Sequence, residues 1–118
     1  MSATDEKLQQ LIQKLKAKSE SGEVSWEQDG GDESQFLASF PGHSVGIRIA
    51  ERRGASPVYT FTIFDGAGAK LESLTVDDTE YYSIFWPEAY KDISILFSEA
   101  RRKAFNVGQA LDEILKVL

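Results

Sequence analysis

The sequence predicts an α+β domain: an antiparallel β-meander of about five strands, with an N-terminal helix and one or two C-terminal helices packed on one face. Two observations carry this. Apolar residues recur with a period near 3.6 at both ends of the chain and with a period of two between them. The alternating runs are joined by short Gly-, Pro- and Asp-containing segments, too short for crossovers, so consecutive strands should pair antiparallel. At 118 residues the chain reads as a single α+β domain, residues 1–118.

The first element is a helix. Thr4 is the expected N-cap, and Asp5 and Glu6 follow in the first turn, where the helix dipole favours negative charge. Leu8, Leu11, Ile12 and Leu15 make one narrow apolar stripe, and Ser21-Gly22 ends the run. The period then becomes two. Val24, Trp26 and Gln28 predict a first strand, and DGGDES a loop. Phe36, Ala38 and Phe40 predict a second strand, closed by Pro41-Gly42; Val45, Ile47 and Ile49 predict a third. After RRGASP, Tyr59, Phe61 and Ile63 mark a fourth. The loop Asp65–Lys70 reads as a hairpin in which Asp-Gly takes the positive φ of a tight turn, and Leu71 to Val76 is a weaker fifth strand.

The last third is helical. Ala89, Ile93, Leu96, Phe97, Ala100 and Ala104 keep the helical period, with Pro87 expected in the first turn. Asn106 and Gln109 form a capping-box-like pair for a second segment, whose apolar face is Leu111, Ile114, Leu115 and Leu118. A meander with one apolar face must be covered, and these helices supply the only other apolar stripes. The opposite sheet face, with Arg48, Thr60 and Thr62, is expected to be solvated.

Composition narrows the function classes. There is no cysteine, hence no thiol nucleophile and no cysteine-ligated metal. The net charge of −6 argues against a nucleic-acid binder, which needs a basic face to meet phosphate. No apolar run approaches the roughly 20 residues of a membrane span, and MSATDEKLQQ lacks the basic and apolar regions of a secretory signal, so no membrane partner and a cytoplasmic location are expected. Acidic residues gather from Glu20 to Glu33 and again at Asp77, Asp78 and Glu80, without the spacing of a calcium loop; no metal and no cofactor are expected. His43 is the only histidine and sits in a turn, beside a serine that an extended chain points the other way, so no catalytic residue is assigned. Two basic pieces, Arg48, Arg52 and Arg53 on or after the third strand and Arg101-Arg102-Lys103 on the long helix, read as ion-pair partners within the fold, with a local anion or phosphate contact through the exposed Arg102 and Lys103 as the alternative.

What remains is TEYYSIFWPEAY, residues 79–90, with five of the thirteen aromatic residues. Phe85 and Trp86 read as the dock of the long helix on the sheet. Tyr81 and Tyr82 are consecutive, so one of them should be exposed. Because Tyr, Trp and Arg dominate interface hot spots, the expected protein-binding residues are Tyr81, Tyr82, Trp86, Arg101 and Arg102. The expected function is a non-enzymatic protein–protein interaction domain whose partner is another protein or a second copy of the chain. Two alternatives stand beside it. One is a small-ligand or regulatory domain with a pocket between sheet and helices, lined by Trp26, Tyr59 and Trp86. The other is an immunity-like or nucleic-acid-mimic inhibitor that uses the acidic hairpin.

The segments KLKAKSESGEVSW, VGIRIAERR, VYTFTIFDGAGAKLESL and ARRKAFNVGQALDEILKVL make the chain similar to short uncharacterised bacterial proteins of helix–meander–helix pattern. The resemblance spans nearly the whole chain. It implies that order of elements and no activity.

Overall fold

The structure, a computed structural model, describes residues 3–78 and 86–118. Helix α1 (Ala3–Glu20) leads into five strands, β1 (Glu27–Asp29), β2 (Asp32–Phe40), β3 (His43–Arg52), β4 (Ala55–Asp65) and β5 (Lys70–Val76), followed by α2 (Ala89–Ala104) and α3 (Val107–Val117). The strands form one antiparallel sheet in the order β1-β2-β3-β4-β5, so each pairs with its neighbour in sequence. The fold class is the expected α+β meander flanked by helices.

Period two becomes a layered core through strand register. Phe36, Ile47, Phe61 and Leu74 lie opposite one another across β2 to β5. Ile49, Tyr59 and Val76 form a second row on the same face, and Ala38, Val45 and Ile63 a third. Helices α1 and α2 cover these rows with Ile12 and Leu15 and with Ala89, Ile93, Leu96, Phe97 and Ala100, all buried. The ring of Phe97 meets those of Phe36 and Tyr59 at 5.5 Å in each case, edge-on or tilted as ring quadrupoles prefer.

The opposite face is less open than expected. Arg48 is exposed, but Thr62 is only 4% accessible. A Cβ at Gly46 would come within 3.0 Å of both Leu37 Cδ2 and Phe64 Cε2, so these two side chains close over a strand position that has none of its own. Hydroxyl pairs Thr60–Thr75 (3.1 Å) and Thr62–Ser73 (3.0 Å) bridge β4 to β5 beside them.

Local details correct several expectations. Thr4 lies inside α1, so it is not the N-cap. The helix does stop at Ser21-Gly22: Gly22 N–H donates to Ser19 O (3.2 Å) and Glu23 N–H to Lys18 O (2.8 Å), the paired bonds of a Schellman motif. Val24 and Trp26 precede β1 instead of belonging to it. Their alternation reflected burial, at 8% and 5% exposure, not ladder pairing, and the Trp26 indole donates to Ser19 Oγ at 2.8 Å. In the β4–β5 turn the positive φ falls at Gly68 (86°), not at the glycine after Asp65. The Asp65 carboxylate accepts the N–H groups of Ala67 and Ala69, both at 2.9 Å, which fixes the earlier part of the loop. Pro87 lies before α2, in a turn closed by Ala89 N–H donating to Trp86 O (3.3 Å).

The largest departure is α3. It was expected to share in covering the sheet, yet none of its residues is buried. Asn106 adopts a left-handed conformation (φ 51°, ψ 45°) and its side chain makes no cap bond; Gln109 Nε2 bonds Glu113 Oε1 (3.2 Å) instead of closing a capping box. That single left-handed residue turns the chain sharply between α2 and α3. The molecule measures 52 × 38 × 27 Å with a radius of gyration of 15.2 Å, against about 13.5 Å for a compact chain of this length. Helices α1 and α2 bury the rows of the sheet, and α3 lies beyond them without a buried residue.

Candidate functional site

The residues expected to form one binding patch are not together. Tyr81 and Tyr82 lie outside the described residues. Trp86 is 4% exposed and packs in the core before α2, while Arg101 and Arg102 are exposed near that helix's other end. About 18 Å of helix separates Ala89 from Arg101. Arg101 lies 5.3 Å above the ring of Phe105, and that ring packs edge-on against Phe36 at 5.4 Å. The cation therefore covers the aromatic side chain that anchors the α2–α3 corner. The exposed Arg102 faces the half-buried Glu99 at 3.9 Å, a surface pair of small energetic weight.

Trp86 instead belongs to a buried polar cluster that the sequence reading missed. Asp92, 6% exposed on α2, accepts hydrogen bonds from Gln13 Nε2 (2.6 Å), Lys16 Nζ (2.8 Å) and Trp86 Nε1 (2.9 Å). Burial raises the carboxyl's pKa, but the bonds from Lys16, Trp86 and Gln13 and the Lys16 charge outweigh it and hold Asp92 below the usual carboxylate value. One carboxylate thus ties both helices and the segment before α2 together. The available signal was a lone acid three residues from Ala89 and one before Ile93, on the edge of an apolar stripe, where it would need a partner if buried.

Several of the acidic and basic groups singled out in the sequence are held by structural contacts. Asp29 accepts Gly31 N–H (3.1 Å) and Gln35 Nε2 (2.9 Å). Asp32 takes Ser34 N–H (3.0 Å) and the Arg48 guanidinium. Bonds from the Ser34 hydroxyl and amide, with a smaller contribution from Arg48, hold its carboxyl below the ordinary value. Arg52 donates to Ser56 O (3.0 Å) and faces Asp77 and Asp78 at 3.8 and 3.5 Å, bracing the chain as it leaves β5. His43 is exposed at the start of β3, opposite Asp65 in register, and that carboxylate serves the turn. Trp26, Tyr59 and Trp86, the expected lining of a pocket, belong to the hydrophobic core. Among the described residues no group of three or more His, Asp or Glu is placed to hold a metal ion, and no helix is long and apolar enough to cross a membrane.

Among the described residues, two surfaces stand out whose chemistry the fold does not use. The first is α3. Its residues Leu111, Ile114 and Leu115 are 56, 54 and 67% exposed, and Val117, Leu118 and Phe105 extend the stripe. At 100° per residue Leu111, Ile114, Leu115, Val117 and Leu118 share a little under half of the helix circumference, with Asp112 and Glu113 beyond its two edges and Phe105 exposed before the Asn106 corner. The second is a groove of about 380 Å³ between α1 and the hairpin end of the sheet. Leu11, Leu15, Val24, Phe40, Val45 and Ile63 line it, with Lys14 and Lys18 along the α1 rim. The sequence showed the apolar face of α3 plainly; that it lies open depended on how much sheet α1 and α2 would cover.

Comparison of the chain with protein-family models, with curated proteins and with solved structures finds no match.

Proposed function

We propose that this chain is a non-enzymatic protein–protein interaction domain whose contact surface is the apolar stripe of α3. The observation that supports it is an amphipathic helix with no buried residue, presenting Leu111, Ile114, Leu115 and Val117 to solvent beyond a completed core. The stripe exposes about 600 Å² of apolar surface, at the upper end of what monomeric proteins leave uncovered, and patches of that size mark association surfaces. Burying it at about 25 cal/mol per Å² is worth roughly 15 kcal/mol, to be set against an association cost of about 4–15 kcal/mol. The acidic surface enters this reading as solubility, since the carboxylates around the first hairpin hold turns and strand register.

The test replaces Leu111, Ile114 and Leu115 together by serine. The triple variant should keep the wild-type denaturation midpoint and lose association, measured as sedimentation mass and as proteins retained from cell extract by the immobilised chain. A variant that keeps both the mass and the retained proteins of the wild type overturns the proposal.

A further inference from the structure

The groove and the helix are complementary to each other, which identifies the partner within the interaction reading on which this inference rests. We infer that the occupant of the groove is α3 of a second copy of this chain, and that two copies exchange their C-terminal helices reciprocally.

Four features support the assignment. The first is fit of kind: among the described residues the same chain carries an apolar groove open to solvent and an apolar helix stripe open to solvent. At about 30 Å³ for each water-sized group, the groove has room for roughly three leucine-sized side chains. One turn of the α3 stripe presents that number in Leu111, Ile114 and Leu115. The second is charge. Lys14 meets no carboxylate among the described residues, and Lys18 has Glu23 at 3.7 Å with both side chains more than half exposed. Asp112 and Glu113 lie on the polar side of α3, about 60° beyond Leu115 and about 40° beyond Val117 with Lys116 between them, so one carboxylate lies nearer the lysine rim whichever way the helix runs along the groove.

The third is geometry. Asn106 holds the α2–α3 corner in a left-handed conformation and no residue of α3 is buried against its own chain, so α3 would have to abandon that corner to fill its own groove. A second copy meets the helix as it stands. The fourth is closure. Reciprocal exchange is a two-fold arrangement in which each helix fills the other copy's groove, leaving neither surface free to propagate a chain of copies. Two such contacts bury on the order of 1,500 Å², the size of a specific stable interface.

The experiment uses the full chain. Sedimentation equilibrium should give twice the monomer mass of 13.1 kDa at micromolar concentration. Lys14→Glu with Lys18→Glu should weaken the dimer at least tenfold, and so should Asp112→Lys with Glu113→Lys. An equimolar mixture of the two double variants should regain most of that loss, because in the mixed dimer one contact keeps the wild-type charges and the other carries the same pairing reversed. The absence of cysteine from the sequence allows a direct check. A mixture of Lys18→Cys and Glu113→Cys chains should oxidise to a mixed disulfide dimer in preference to either self-pair. All of these residues are exposed, and circular dichroism confirms that each variant is folded.

A monomer at 100 µM overturns the inference while leaving α3 as a surface for some other protein. A dimer indifferent to Lys14 and Lys18 but lost with Leu111, Ile114 and Leu115 also overturns it, because the helices would then pair with each other and leave the groove unused. Only indifference to the α3 substitutions overturns the interaction reading itself.

Discussion

Asp92 is the residue on which the helical layer turns. Substituting Asn removes the charge that Lys16 meets and changes an all-acceptor group into one that also donates, facing three donors. We expect Asp92→Asn to lower stability by about 2 kcal/mol in urea denaturation at pH 7, below the cost of breaking a fully buried pair because Lys16 is 26% exposed. The pH dependence follows from the depressed pKa. Protonation favours the unfolded chain, so the contribution is complete above the unfolded carboxyl value of about 4. It is lost as pH falls through the lower folded value. The difference between wild type and Asp92→Asn should therefore shrink between pH 5 and pH 2. Gly46 gives a second residue-scale expectation. A valine there must displace Leu37 and Phe64 and should cost about 1–3 kcal/mol, with little change if Leu37 is shortened to alanine at the same time.

At the scale of elements, the helices and the strand rows were legible because period and burial coincide in them. Phe36, Ile47, Phe61 and Leu74 are adjacent in register just as alternation implies. Legibility failed where burial and hydrogen bonding part company. Val24 and Trp26 are buried without a ladder, and Asn106 looks like a cap while its backbone makes a corner. The candidate site failed for a related reason. Aromatic content pointed to residues 79–90, but the indole of Trp86 is consumed by Asp92, and the open surface belongs to leucines that looked like ordinary core. Period shows that α3 has an apolar face and carries no information on what covers it. Because no residue of α3 is buried in its own chain, removal of residues 107–118 should leave the stability of the remaining chain within about 1 kcal/mol of wild type, measured at a dilution where wild type sediments as a monomer. Phe61→Ala, by contrast, should cost about 3–5 kcal/mol under the same conditions.

For the whole molecule, the meander makes nearly every sheet contact local in sequence, each strand joined to the next by a short turn. The contact between α1 and α2 is of another kind. Gln13 and Lys16 meet Asp92 across 79 and 76 residues. Closing a loop of that length costs about 4 kcal/mol of chain entropy, returned only when both helices are in place. The sheet should therefore assemble early, with α1 joining after the rate-limiting barrier. Truncating Gln13 or Lys16 to alanine should then quicken unfolding in stopped-flow experiments while leaving the refolding rate nearly unchanged. The consequence is a division of labour in time. Strand order sets how fast this chain finds its structure, and a single carboxylate shared by the first and last thirds of the sequence sets how long it keeps it.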